Sequence, residues 1–265
     1  MIGVKQHARS AAEVTAALLL AVSLLLGLRP PPPEPASPPI GTDSLARVDD
    51  LPLTLVPTAE GSLLAVLLTG DGGWASGDRS MAKAFAQHNV AVVGLSSPRY
   101  LAKERTPAQA SADLARILEH FLTAWHRERA IVVGYSRGAD IGPFMVSRLP
   151  GELRDRVALT ALLGPGPSAS FRFGVFDLLR SHTTSGGLRV APEVAKLCGL
   201  PVLCIYGSSD RGAICSSLAA AGLAHALVRN GGHAIGASEG PPVADEILAA
   251  VQGAMAKDEL RRSHP

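Results

Sequence analysis

The chain has 265 residues, 47% of them hydrophobic and 18% charged, so it can bury a large core and is not globally disordered. Its formal charge of +2 at pH 7, with no Lys/Arg run and no interleaved aromatic stripe, excludes a nucleic-acid surface. The three cysteines, Cys198, Cys204 and Cys215, show no CxxC or Cys/His spacing, so no metal site is expected and no cofactor motif is present. One disulfide with a leftover thiol and a set of buried thiols are both compatible with them.

Residues 1–28 read as a signal peptide or an uncleaved N-terminal membrane anchor. Lys5, His7 and Arg9 precede an apolar run, Val14–Leu28, broken only by Thr15, Ser23 and Gly27. The run is shorter than the roughly 20 residues of a typical spanning helix, and no small-x-small cleavage site follows it. The positive residues on its N-terminal side place the remainder of the chain outside the cytoplasm, in the periplasm, with or without an inner-membrane tether. Residues 29–50 form a linker, and its RPPPPEPASPP stretch (Arg29–Pro39) is stiff and extended.

Residues 51–258 are expected to form one domain, with 259–265 as a tail. Short apolar runs occur at Leu63–Thr69, Val90–Leu95, Ala130–Tyr135, Val157–Leu163, Val202–Tyr206 and Ala226–Arg229. They have the composition of strands buried on both faces. Helical patterns lie between or after them near Asp78–His88, Pro107–His126, Ala139–Leu149, Ala213–Ala221 and Pro242–Ala256. Thr106 before Pro107 supplies a capping residue ahead of proline at the first helical position. The alternation predicts an α/β fold with a mostly parallel sheet and helices on both faces. Residues 166–197 break the rhythm and are expected to form a small cap.

Chemistry enters at Gly134-Tyr135-Ser136-Arg137-Gly138. This G-x-S-x-G follows a predicted strand and opens a predicted helix, the strand–turn–helix context of a nucleophile elbow in the α/β-hydrolase fold. A serine hydroxyl needs a positioned base, and in this fold the acid and then the histidine follow the serine along the chain. Asp210, at the end of VLCIYGSSD, fits the acid. His233, in NGGH beyond the last strand, fits the base. His225 precedes that strand and belongs at the wrong sheet edge, and His182 in the cap is the competitor. Asp140 and Asp155 read as helix-start and surface charges.

The oxyanion hole needs two N–H donors. Arg137, after the nucleophile, supplies one, and Asp71 or Gly72 in the loop TGDGGW (Thr69–Trp74) supplies the second. A carboxylate there opposes an oxyanion, so the Asp71 side chain is expected to turn away or to pair with a cation, either Arg137 or a substrate ammonium. Asp71, Asp177 and Glu193 read first as solvated or capping charges. No P-loop lysine follows the glycines, so phosphate binding is not indicated.

These motifs, together with GYSRGADIGPF (Gly134–Phe144), LLGPGPSASF (Leu162–Phe171), PVLCIYGSSD…C (Pro201–Cys215) and NGGH (Asn230–His233), resemble the VirJ/AcvB family of bacterial periplasmic α/β-hydrolases. The resemblance implies a Ser136–Asp210–His233 triad and a disulfide between Cys204 and Cys215. It implies hydrolysis of the aminoacyl ester of lysyl- or other aminoacyl-phosphatidylglycerol at the inner-membrane surface. It also implies an association with virulence and with type IV secretion components. Two positions depart from the family pattern: Arg137 replaces a common aromatic residue, and Ala234–Ala237 replaces aromatic and acidic ones. The rival readings are a non-catalytic binding or secretion accessory and an esterase of another substrate.

Overall fold

The computed structural model describes residues 47–174, 187–234 and 240–263. The expected leader, most of the linker, the middle of the expected cap with His182 and Asp177, and Ile235–Ala237 lie outside them. Among the described residues no helix is long and apolar enough to cross a membrane.

The apolar runs pair into a seven-stranded sheet. Its strands are β1 (Leu53–Val56), β2 (Leu63–Leu68), β3 (Ala91–Leu95), β4 (Arg129–Tyr135), β5 (Val157–Leu163), β8 (Val202–Gly207) and β9 (His225–Arg229). The order is β1-β3-β2-β4-β5-β8-β9, with β1 antiparallel to β3 and every other neighbour parallel. β6 (Ser168–Ala169) and β7 (Leu188–Arg189) form a separate two-stranded ladder within the expected cap. The helices are α1 (Ser76–Gln87), α2 (Ser97–Tyr100), α3 (Pro107–Ala124), α4 (Arg137–Val146), α5 (Gly151–Asp155), α6 (Val190–Ala195), α7 (Cys215–Ala220) and α8 (Gly240–Ser263).

The core has two layers, one on each face of the sheet. Leu114, Ile117 and Leu118 of α3 and Ile141 and Met145 of α4 pack with Val66 and Val132. Phe85 of α1 and Val243, Ile247 and Val251 of α8 pack with Val92, Ile131 and Ala161. Full burial of each such side chain contributes about 1.5–3 kcal/mol, which is what holds the helices to the sheet. At the start of α3 the Thr106 hydroxyl accepts the Gln109 N–H at 3.1 Å, and the Gln109 side chain accepts the Thr106 N–H at 2.9 Å, a reciprocal cap.

Several elements differ from expectation, and the short helices α2 and α5 are additions to it. β1 is an edge strand with Leu55 48% exposed, and its four residues before Pro57 lack a buried apolar run. β9, at the other edge, has no buried residue either, because no strand covers its outer side, so the expectation of burial on both faces fails for Ala226–Arg229. α4 begins at Arg137, two residues earlier than expected, and α8 runs on to Ser263 rather than ending at Ala256.

The topology places the site. From β2 the chain steps outward to β3, then returns across β2 to β4 and proceeds the other way. The loops after β2 and β4 therefore diverge, opening the crevice where α/β sheets hold ligands. The register Leu68↔Gly134, Tyr135↔Leu163, Leu163↔Ile205 and Gly207↔Arg229 brings the carboxyl ends of five strands to one edge.

Candidate active site

Ser136 stands between β4 and α4 with φ +52° and ψ −117°, a conformation that a non-glycine residue rarely adopts and that costs about 1–3 kcal/mol. Its neighbours hold it there. The Ser136 N–H donates to the Leu163 carbonyl at 2.8 Å, and its carbonyl accepts the Asp140 N–H at 3.0 Å. The flanking glycines allow strand, turn and helix to touch. A Cβ on Gly134 would lie 2.3 Å from the Gly138 carbonyl oxygen, and one on Gly138 would lie 2.0 Å from that of Leu68. The serine side chain thus stands at the N-terminus of a ten-residue helix, whose dipole favours negative charge.

The loops after β8 and β9 deliver the partners. His233 Nε2 is 2.8 Å from Ser136 Oγ, and His233 Nδ1 is 2.8 Å from Asp210 Oδ2. The Asp210 side chain is only 6% exposed, whereas that of His233 is 36% exposed. The two loops are pressed together, because a Cβ on Gly207 would lie 2.2 Å from the Gly232 carbonyl oxygen. The Ser209 N–H and hydroxyl donate to the Gly231 carbonyl at 2.9 and 2.8 Å. Asp210 Oδ1 accepts the Gly212 N–H at 3.1 Å, which leaves Oδ2 for the histidine. With a proton on Nδ1 held by Asp210, Nε2 faces the serine with a lone pair, the arrangement that lets imidazole take a hydroxyl proton.

The loop after β2 closes the other side. A Cβ on Gly70 would lie 3.3 Å from Ser136 Cβ, so this backbone runs directly beside the nucleophile. The turn continues through Asp71 and Gly72 and closes with the Gly73 N–H on the Gly70 carbonyl at 3.1 Å. The Asp71 carboxylate pairs with the Arg137 guanidinium, Nε to Oδ1 and Nη2 to Oδ2, the second contact at 3.4 Å. Of the two outcomes considered for Asp71, pairing with Arg137 is the one observed. Phe173 lies under the guanidinium, its ring centroid 5.1 Å from Cζ.

Cys204, in β8, and Cys215, at the start of α7, form a disulfide around the Asp210 loop, and both are fully buried. Cys198 is a free, exposed thiol. Among the described residues no group of three or more His, Cys, Asp or Glu side chains is arranged to hold a metal.

Sequence reasoning passed over three neighbours of the site. Tyr135, the second residue of the motif, stacks on His233 with ring centroids 6.0 Å apart, and its hydroxyl donates to the His233 carbonyl at 3.3 Å. Gly164, at φ +61°, packs under the histidine and aspartate, its notional Cβ 3.2 Å from His233 Nδ1 and 3.4 Å from Asp210 Oδ2. Asp140 is at a helix start, as expected, but it is only 8% exposed and is no surface charge. Its Oδ1 accepts the Gly166 N–H at 2.7 Å. Burial pushes its carboxyl up to about 7, against the Gly166 hydrogen bond and the Arg137 charge, while Asp71 adds to the rise. Glu193 is likewise not solvated. It is 4% exposed and is held by Ser147, Arg148 and Lys196.

This architecture defines an α/β-hydrolase fold. Among solved structures the chain is similar to MenH from S. aureus (12% identity, TM-score 0.58, covering 77% of this chain and 98% of that one). It is also similar to the thioesterase domain from the curacin biosynthetic pathway (13%, 0.53, 74% and 94%). A third similar structure is the proline iminopeptidase of Mycobacterium smegmatis (13%, 0.52, 76% and 95%). The family described as bacterial virulence protein (VirJ) matches residues 62–255, and the chain belongs to that family. No curated protein matches it in sequence.

Proposed function

We propose that the protein is a serine ester hydrolase of the periplasm, acting at the inner-membrane surface on the aminoacyl ester of lysyl- or another aminoacyl-phosphatidylglycerol. The observation that carries the reading is the continuous relay from Asp210 through His233 to Ser136, with 2.8 Å at each contact. His233 Nε2 takes the Ser136 proton as Oγ attacks the ester carbonyl carbon. The N–H of Arg137 and that of Asp71 or Gly72 receive the oxyanion, beside the helix N-terminus. Collapse of the tetrahedral intermediate expels the lipid alcohol, which takes the proton from His233, and leaves the aminoacyl group on Ser136. Water, deprotonated by His233, then attacks this ester, releasing the amino acid and restoring Ser136.

Support for the setting comes from the buried disulfide, which suits an oxidising compartment, and from the signal-like N-terminal segment. Support for the substrate comes from the family resemblance. Purified full chain and Ser136→Ala should be given lysyl- and alanyl-phosphatidylglycerol and a short-chain nitrophenyl ester. Serine-dependent release of amino acid is expected. Cleavage of the nitrophenyl ester alone discards the lipid substrate but keeps the hydrolase. Folded protein without serine-dependent turnover turns the reading to a binding accessory of envelope secretion.

A further inference from the structure

The geometry points to the first turn of α4 as the positioning element of the whole site. Through its Arg137 side chain it holds the loop after β2 by way of Asp71, and through Asp140 it holds the loop after β5 by way of the Gly166 amide. The catalytic consequence rests on the hydrolase reading above. The structural claim does not.

Ser136 is placed by the main chain of β4 and α4, but the groups around it come from separate loops that share no strand pairing beyond the sheet edge. Two side chains of α4, one turn apart, reach out to two of those loops. Arg137 grips Asp71 with two nitrogens on two oxygens, a fork geometry that fixes direction as well as distance. Phe173 backs the guanidinium, and the pair is largely withdrawn from water, with side chains 11% and 24% exposed. The two residues joined in this way stand on the two segments that carry the proposed oxyanion donors, Arg137 after the nucleophile and Asp71 or Gly72 in the loop after β2. The ion pair therefore sets the distance between the two sides of the oxyanion hole.

Asp140 does the corresponding work on the opposite flank. Its carboxyl Oδ1 accepts the N–H of Gly166, two residues beyond Gly164, which lies beside His233 and Asp210. Gly164 thus lines the space beside the imidazole, and the loop that carries it bounds the position of the base. Burial of an ion pair and a carboxylate is weak evidence for stability, and positioning explains their presence better.

Any side-chain substitution leaves the backbone donors intact, so clasp and donors can be tested apart. On the full chain, kcat and KM for a nitrophenyl ester should be measured for Arg137→Met, Arg137→Lys, Asp71→Asn and the Arg137→Met/Asp71→Asn double variant. Hydrogen exchange should be followed in the same proteins. Each single neutral variant should lower kcat about 10- to 100-fold with KM nearly unchanged. The double variant should be no worse than the worse single, because both remove one interaction. Arg137→Lys should recover part of the rate, since an ammonium keeps the charge without the fork. Asp140→Ala should lower kcat, and Asp140→Asn, which keeps the acceptor oxygen, should restore most of it.

Amides at 70–74 should exchange about tenfold faster in Arg137→Met and Asp71→Asn, and that of Gly166 faster in Asp140→Ala. Multiplying losses in the double variant, a change confined to KM, or unaltered exchange at these amides each overturns the inference. A wild type without Ser136-dependent turnover counts against the hydrolase reading instead, and the exchange rates alone then decide the clasp.

Discussion

The two halves of the candidate triad are held by different means. Ser136 is 5% exposed at the junction of a central strand and a helix, fixed by main-chain bonds and by glycines with no room for a methyl group. His233 hangs beyond the edge strand β9, whose Val228 is 58% exposed, and its side chain is 36% exposed. The nucleophile is placed by secondary structure. The base is placed by its neighbours, among them Asp210 and the Tyr135 hydroxyl and ring, with Gly164 beside it. Substitutions on the first side should therefore damage the fold along with the site, while those of the side chains that hold the base should damage the chemistry more than the fold.

Asp210→Asn should produce the largest effect. An amide NH2 in place of Oδ2 turns the imidazole to the tautomer with its proton on Nε2, which then meets Ser136 with a hydrogen instead of a lone pair. Turnover of a nitrophenyl ester should fall about 10⁴-fold, the size known for the corresponding change in serine proteases, with the melting temperature nearly unchanged. A loss below tenfold would place the acid elsewhere.

Paired glycine substitutions compare the two sides directly. Gly138→Ala forces a methyl group 2.0 Å from the Leu68 carbonyl oxygen inside the sheet–helix packing, whereas Gly207→Ala, at the end of β8, meets the Gly232 carbonyl oxygen at 2.2 Å in the loop after β9. The first should cost about 4 kcal/mol or more and the second distinctly less, because loops can yield. Equal losses in chemical denaturation would end the distinction between the halves.

The same difference governs what could be read from residue order. The Gly134–Gly138 motif is local, so its strand–turn–helix setting could be inferred from the flanking apolar run and the helical pattern behind it. Asp210 and His233 each follow a strand-like run, and in a parallel sheet residue order alone assigns both to the carboxyl edge. The Arg137–Asp71 pair spans 66 positions, and sequence supplied only a choice of partners for Asp71. The burial of Asp140 and Glu193 was not legible, because a charge at a helix start looks the same whether solvent or another loop covers it. β1 escaped for a related reason, since an edge strand owes its state to a neighbour, here β3.

Asp140 provides the next prediction. Its folded-state carboxyl is raised from 3.8 to about 7, so between those values the folded chain keeps a proton that the unfolded chain has lost. Stability from this group is thus full below about pH 4 and falls as the pH rises through 7, by on the order of 4 kcal/mol at most. Asp140→Asn removes the titration while still accepting the Gly166 N–H. Chemical denaturation at pH 5 and pH 8 should show the variant gaining on the wild type at the higher pH. Parallel behaviour of the two proteins would mean that Arg137 keeps Asp140 ionised throughout.

The disulfide should give the smallest of these effects and speaks most directly to the exposed half. Cys204 and Cys215 close a loop with a sequence separation of 11 that carries Asp210. The chain-entropy contribution of such a loop is about 3 kcal/mol. Cys204→Ala/Cys215→Ala, which leaves no unpaired hydroxyl in these fully buried positions, should lower stability by that order. It should also slow ester turnover several-fold, since the loop then depends on the bonds from Ser209 to Gly231 and the close packing at Gly207. If stability falls while kcat stays unchanged, those contacts alone place the acid, and the disulfide serves the fold instead of the site. If kcat falls further than stability predicts, the covalent link takes, for the acid and base, the place that the strand and helix take for Ser136.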